Sequence, residues 1–69
     1  MTDKEKELLI YVTEFKKTNG FSPTIREIAH GIATCRPYVQ TMLERLQDEG
    51  YITMKPKSPR TIVVKKFIA

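Results

Sequence analysis

Three groups of side chains in this sequence have types and spacings suited to gripping a polyanion. Arg36-Pro37-Tyr38-Val39-Gln40-Thr41, with Arg45 one turn further on, brings together guanidinium groups, a phenol, a carboxamide and a hydroxyl. Lys55, Lys57 and Arg60 interleave with Pro56 and Pro59 in a segment free of acids, and Thr24 and Arg26 stand close together upstream. Cationic side chains neutralise phosphates and release their condensed counterions. A glutamine carboxamide can pair bidentately with adenine, and a threonine can meet either kind of base pair.

Each of these residues also has a plainer role. Gln40 and Thr41 can be ordinary helix polarity facing solvent, and Tyr38 can pack over a turn instead of entering a groove. Arg36 and Arg45 divide in the same way between phosphate and water. Thr24 is first of all a helix cap, although the helix start it presents can receive a phosphate with Arg26 beside it. Glu44 would be repelled by phosphate unless it accepted from a cytosine amine, so solvent or an arginine partner is its expected surroundings.

Charge placement weights the choice. The net charge is +4, yet residues 1–49 carry seven basic and eight acidic side chains, while residues 50–69 carry Lys55, Lys57, Arg60, Lys65 and Lys66 and no acid. A basic end of this kind attracts nucleic acid or acidic lipid alike. Lys65 and Lys66 read as a solvated face.

The sequence offers little for catalysis. His30 is the only histidine and Cys35 the only cysteine, so there is no internal disulfide, no zinc spacing and no nucleophile–base set. No cofactor or metal is expected, and the chain is expected not to be an enzyme. Cys35 reads as structural or as a redox-sensitive thiol at a helix start. The charged beginning and the absence of a long apolar run point to a cytoplasmic location.

Local patterns supply the elements that must position these side chains. Thr2 with Glu5 forms a capping box, and Leu8, Tyr11, Val12 and Phe15 repeat at helical spacing until Asn19-Gly20, predicting a first helix from about Asp3 to about Thr18. Thr24 with Glu27 forms a second box. Ile25, Ile28, Ala29 and Ile32 line a helix of about two turns, with Gly31 placed where the chain must turn. A third helix, beginning after Ala33-Thr34-Cys35 within the span 34–49, buries Val39, Met42, Leu43 and Leu46, turns Pro37, Thr41, Glu44 and Asp48 outward, and leaves Tyr38, Gln40 and Arg45 on its flanks. Pro37 is tolerable in a first turn, and Gly50 ends the helix. The period then changes to two in Tyr51–Lys55 and Thr61–Lys65, predicting a hairpin whose tip is basic and rich in proline.

Long helix, short helix, tight turn, amphipathic helix and basic hairpin are the parts of a winged helix-turn-helix: mostly α with a small β-hairpin, three helices plus a two-stranded antiparallel wing, in one domain over residues 1–69. The order also resembles a known family. Phe21-Ser22-Pro23-Thr24-Ile25-Arg26-Glu27-Ile28-Ala29 is similar to the (Y/F)-x-P-T-(V/I)-R-E-I-(A/G) segment of the LexA repressor DNA-binding domain. Leu43-x-x-Leu46-x-x-x-Gly50-Tyr51-Ile52 has the family's spacing, and Pro59-Arg60-Thr61-Ile62 is similar to its P-R-x-I wing signature. The resemblance covers about residues 3–65.

The resemblance implies a bacterial or phage transcriptional regulator bound to double-stranded DNA, with no peptidase domain in this sequence and hence no self-cleavage. Cys35 stands where the family usually caps with Ser, and Arg36-Pro37-Tyr38 replaces a small polar run, so operator sequence does not transfer. The expectation is helix 34–49 in the major groove and wing 55–60 on the backbone, acting as a homodimer or as cooperative copies on DNA. The apolar end, Phe67-Ile68-Ala69, can mediate self-association or pack locally. The alternatives are a mobile-element architectural or excision factor that bends DNA, and a winged helix used for protein contacts.

Overall fold

Thr2 and Thr24 each begin a helix in the same way. In the computed structural model, which describes residues 2–55 and 61–65, Thr2 Oγ1 accepts from Glu5 N at 3.2 Å and Glu5 Oε1 accepts from Thr2 N at 3.0 Å. Thr24 and Glu27 repeat the exchange at 3.2 and 2.8 Å. Both capping boxes therefore satisfy donors that a helix start leaves unpaired.

The first box opens α1, Asp3–Asn19. It ends one residue beyond expectation at Gly20, whose φ of 81° lets its N–H reach back to Lys16 O at 2.8 Å. The second opens α2, Ile25–Gly31. Gly31 is its last residue, near the end as expected, and the left-handed residue that turns the chain just beyond is Ala33, at φ 55°. Thr34 N donates to Ala29 O and Ala33 N to His30 O, the paired reverse bonds of a Schellman turn. Gly31 has a different reason to be small. A Cβ there would run into the Tyr11 ring of α1, so glycine admits the aromatic side chain against α2.

The third helix, α3, is Arg36–Asp48: it begins after Cys35 as expected and lies within the span 34–49. Cys35 occupies the N-cap with extended backbone but makes no side-chain cap bond, and Pro37 follows within the first turn. Thr34 therefore falls in the turn and Glu49 at the C-cap. A second Schellman turn, with Tyr51 N on Leu46 O at 2.9 Å and Gly50 N on Gln47 O at 3.0 Å, ends α3.

The wing is also shorter than the alternation suggested. β1 is Ile52–Thr53 and β2 is Val63–Val64, paired antiparallel with Ile52 opposite Val64 and Thr53 opposite Val63. Beyond the ladder, Lys55 N donates to Thr61 Oγ1 at 3.0 Å, so a side chain takes over from the backbone as the prolines approach. At the other end Lys65 N donates to Tyr51 O at 2.7 Å. The expected tip, including Lys57 and Arg60, lies outside the described residues, as do Lys66 and the apolar end 67–69.

These elements close on one core: Leu8, Leu9 and Val12 of α1, Ile28, Ala29 and Ile32 from α2 and its cap, Val39, Met42, Leu43 and Leu46 of α3, with Ile52 and Ile62 from the wing. Burying each large aliphatic side chain stabilises the fold by about 1.5–3 kcal/mol. Every apolar position expected on α3 is buried. Ser22 and Pro23 are buried as well, and the Ser22 hydroxyl donates to the Ile62 carbonyl, fastening the α1–α2 connection to the wing. The architecture is a winged helix-turn-helix.

Candidate nucleic-acid interface

The core stripe of α3 fixes what its remaining surface can offer. With Val39, Met42, Leu43 and Leu46 turned inward, Arg36, Pro37, Tyr38, Gln40, Thr41, Glu44 and Arg45 are all exposed. Pro37, Thr41 and Glu44 occupy the outermost line, Gln40 and Arg36 one flank, and Tyr38 and Arg45 the other. Tyr38 is 42% exposed, a large aromatic surface left uncovered on the polar side of the helix.

Thr41 is partly committed. Its hydroxyl donates to Pro37 O at 3.1 Å, one turn back along the helix. The oxygen retains acceptor capacity, and the methyl group remains for apolar contact.

Arg26 and Arg36 come together across the helix-turn-helix. They line an open groove of about 530 Å³ with Tyr11, Phe15, His30 and Cys35 among its walls. The two aromatic side chains of its lining, Tyr11 and Phe15, have ring centroids 5.9 Å apart, and outside the groove Phe15 meets the Phe21 ring edge-on at 5.8 Å. Thr24, half-buried, accepts from Glu27 N and so performs the capping role. Lys55 is exposed at the wing. Among the described residues no group of three or more His, Cys, Asp or Glu side chains could hold a metal ion, and no helix is long and apolar enough to cross a membrane.

The sequence reading gave Lys4 no role and Glu5 only that of a cap. Lys4 Nζ donates to Ile32 O at 2.7 Å, covering a carbonyl at the end of α2, and also pairs with Glu7 at 3.4 Å. Glu5 is only 2% exposed, and Arg45 Nη1 approaches its Oε1 to 4.0 Å. Burial pushes the Glu5 carboxyl upward. The Thr2 N–H, the Thr2 hydroxyl and the Arg45 charge outweigh this and hold it below its ordinary value of 4.5. Its place was readable: Glu5, Leu8, Leu9 and Val12 stand at i, i+3, i+4 and i+7, so the acid falls on the buried stripe.

A tight turn between α2 and an exposed α3, backed by a wing, defines the helix-turn-helix class of module. Sequence comparison narrows the class. The family model described as the LexA DNA binding domain matches residues 1–61. The chain belongs to this family. It is 35% identical over 68 residues to the LexA repressor of Thermotoga neapolitana, covering 99% of this chain and 34% of that protein. It is 32% identical over 63 residues to the LexA repressor of Carboxydothermus hydrogenoformans, covering 90% and 31%. With the LexA repressor of Staphylococcus aureus it shares 31% identity over 65 residues, covering 93% and 31%. The chain thus spans about a third of the length of these curated relatives.

Proposed function

We propose that the chain is a LexA-like repressor module that binds double-stranded DNA. In this reading α3 lies in the major groove, with Pro37, Tyr38, Gln40 and Thr41 toward base edges. Arg36 and Arg45 flank it on phosphates. Thr24 and Arg26 brace the helix-turn-helix against the backbone, and Lys55, Lys57 and Arg60 hold flanking phosphates through the wing. One observation carries most weight: α3 buries its whole apolar stripe and still exposes Tyr38, Gln40 and Thr41 between Arg36 and Arg45. An α-helix with such a face fits the major groove, where base edges are distinguishable.

A single module this small covers limited DNA surface, so useful affinity requires a homodimer or neighbouring copies on paired half-sites. The test is selection from random duplex DNA, followed by affinity at several salt concentrations. Replacing Lys57 and Arg60 by alanine lowers affinity for all sequences and reduces the salt slope by about two, near one for each lost phosphate contact. Gln40→Ala changes which sequences are selected. An unaltered salt slope in the wing variant would remove the wing from the interface, and a chain indifferent to duplex DNA at low salt would end the reading.

A further inference from the structure

We propose that Glu5 is a positioning residue for duplex binding: from the buried face of α1 its carboxylate steadies the Arg45 guanidinium on the flank of α3, leaving the other N–H groups to meet a phosphate. The proposal rests on the duplex-binding reading above and adds to it a residue distant in sequence from the recognition helix.

Two features of Glu5 support this. Its Oε1 accepts from Thr2 N at 3.0 Å, which fixes the carboxylate in place as part of the capping box. Its Oε2 is buried and has no hydrogen-bond partner. A buried carboxylate with unfilled acceptor sites is costly unless a positive charge stands near it. Of the neighbouring cations on α1, Lys4 is occupied by Ile32 O and Glu7, and Lys6 is exposed. Arg45 is the cation of α3 that approaches, at 4.0 Å from Oε1.

The burial is lopsided in a useful way. The Glu5 side chain is 3% exposed and the Arg45 side chain 63%, so the pair has one fixed member and one that faces water. A guanidinium carries five donors in a planar fork. Turning one edge toward Glu5 leaves donors directed outward, on the flank shared with Tyr38. A long exposed side chain otherwise loses rotamer freedom when it docks, and anchoring it beforehand lowers that cost.

Glu5→Gln isolates the charge, because glutamine also completes a capping box and keeps the start of α1. On duplexes recovered by selection, affinity should fall about three- to tenfold in Glu5→Gln for selected and unrelated duplex alike, since Arg45 is placed on a phosphate. Arg45→Ala should lower the same affinities, and adding Glu5→Gln to Arg45→Ala should lower them no further. An affinity that holds or rises in Glu5→Gln, as the added net charge alone would produce, overturns the proposal, as does an equal loss with and without Arg45. The contact itself is read without DNA, from carbon NMR titration of the Glu5 carboxyl. Its midpoint should rise in Arg45→Ala, and an unmoved midpoint refutes the coupling even where duplex binding stands. A midpoint that does rise, in a chain that ignores duplex DNA, overturns the duplex reading and the positioning role together.

Discussion

Glu5 is the one carboxylate among the described residues that folding takes fully out of water, and this makes stability depend on acid in a definite sense. Its folded-state carboxyl titrates below its ordinary value of 4.5, burial being outweighed by the Thr2 hydrogen bonds and the Arg45 charge. Between the lowered folded value and the ordinary one, the unfolded chain binds more protons, so stability rises with pH. The stabilisation from Glu5 is complete above the unfolded value and is lost as pH falls through the folded one. Urea unfolding across this window should show the wild-type chain losing stability relative to Glu5→Gln as pH falls, the two curves running parallel at higher pH. A constant gap at every pH would mean that the carboxylate's charge contributes nothing. The residue was legible as a cap from Thr2-x-x-Glu5 and as a stripe position from Leu8, Leu9 and Val12. Its partner was not, because Arg45 lies forty residues away and only the closing of the common core brings them together.

The helices show which kinds of signal survive folding. Both capping boxes formed at the expected threonines, since the exchange of bonds is local and needs nothing from the rest of the chain. The start of α3 was readable as well: the helix begins at Arg36, directly after Ala33-Thr34-Cys35, although Cys35 offers its first amides no side-chain acceptor. The end of α2 near Gly31 was legible, but the reason for the glycine is tertiary: Gly31 accommodates the Tyr11 ring, and the left-handed turn falls on Ala33. A residue with a Cβ pays roughly 1–2 kcal/mol in that conformation. The equivalent place after α3 is held by Gly50 at φ 83°, with the same pair of reverse bonds. Ala33→Gly should therefore stabilise the fold by about 0.5–1 kcal/mol, the relief of strain being offset in part by the extra freedom of an unfolded glycine. Denaturant midpoints with an unchanged slope would check this. An Ala33→Gly chain less stable than wild type would show that the turn tolerates alanine without strain.

The join between the helical body and the wing is the feature that local patterns could not show. The alternation after Gly50 correctly indicated strands, but among the described residues only Ile52–Thr53 and Val63–Val64 pair, and by Lys55 the Thr61 hydroxyl has replaced a backbone carbonyl as acceptor. So short a pair has little stability of its own. What holds it is the burial of Ile52 and Ile62 in the common core and the bond from the Ser22 hydroxyl to the Ile62 carbonyl, spanning forty positions of sequence. Ser22 lies in the connection that leads to Thr24 and α2, so the anchor of the wing is also the entry to the helix-turn-helix. Removing that hydroxyl deprives a buried carbonyl of a donor, a loss of about 1–3 kcal/mol. Ser22→Ala should accordingly lower global stability by that amount. If the wing contacts duplex backbone as proposed, the same change should also weaken binding to all sequences by a similar factor while leaving the selected sequence unchanged, since no base-facing side chain of α3 is touched. Chemical denaturation gives the first quantity, and titration of selected and unrelated duplexes gives the second. Full stability in Ser22→Ala would show that core burial alone seats the wing. Altered sequence preference would show that the connection governs how α3 is presented as well as where the wing lies.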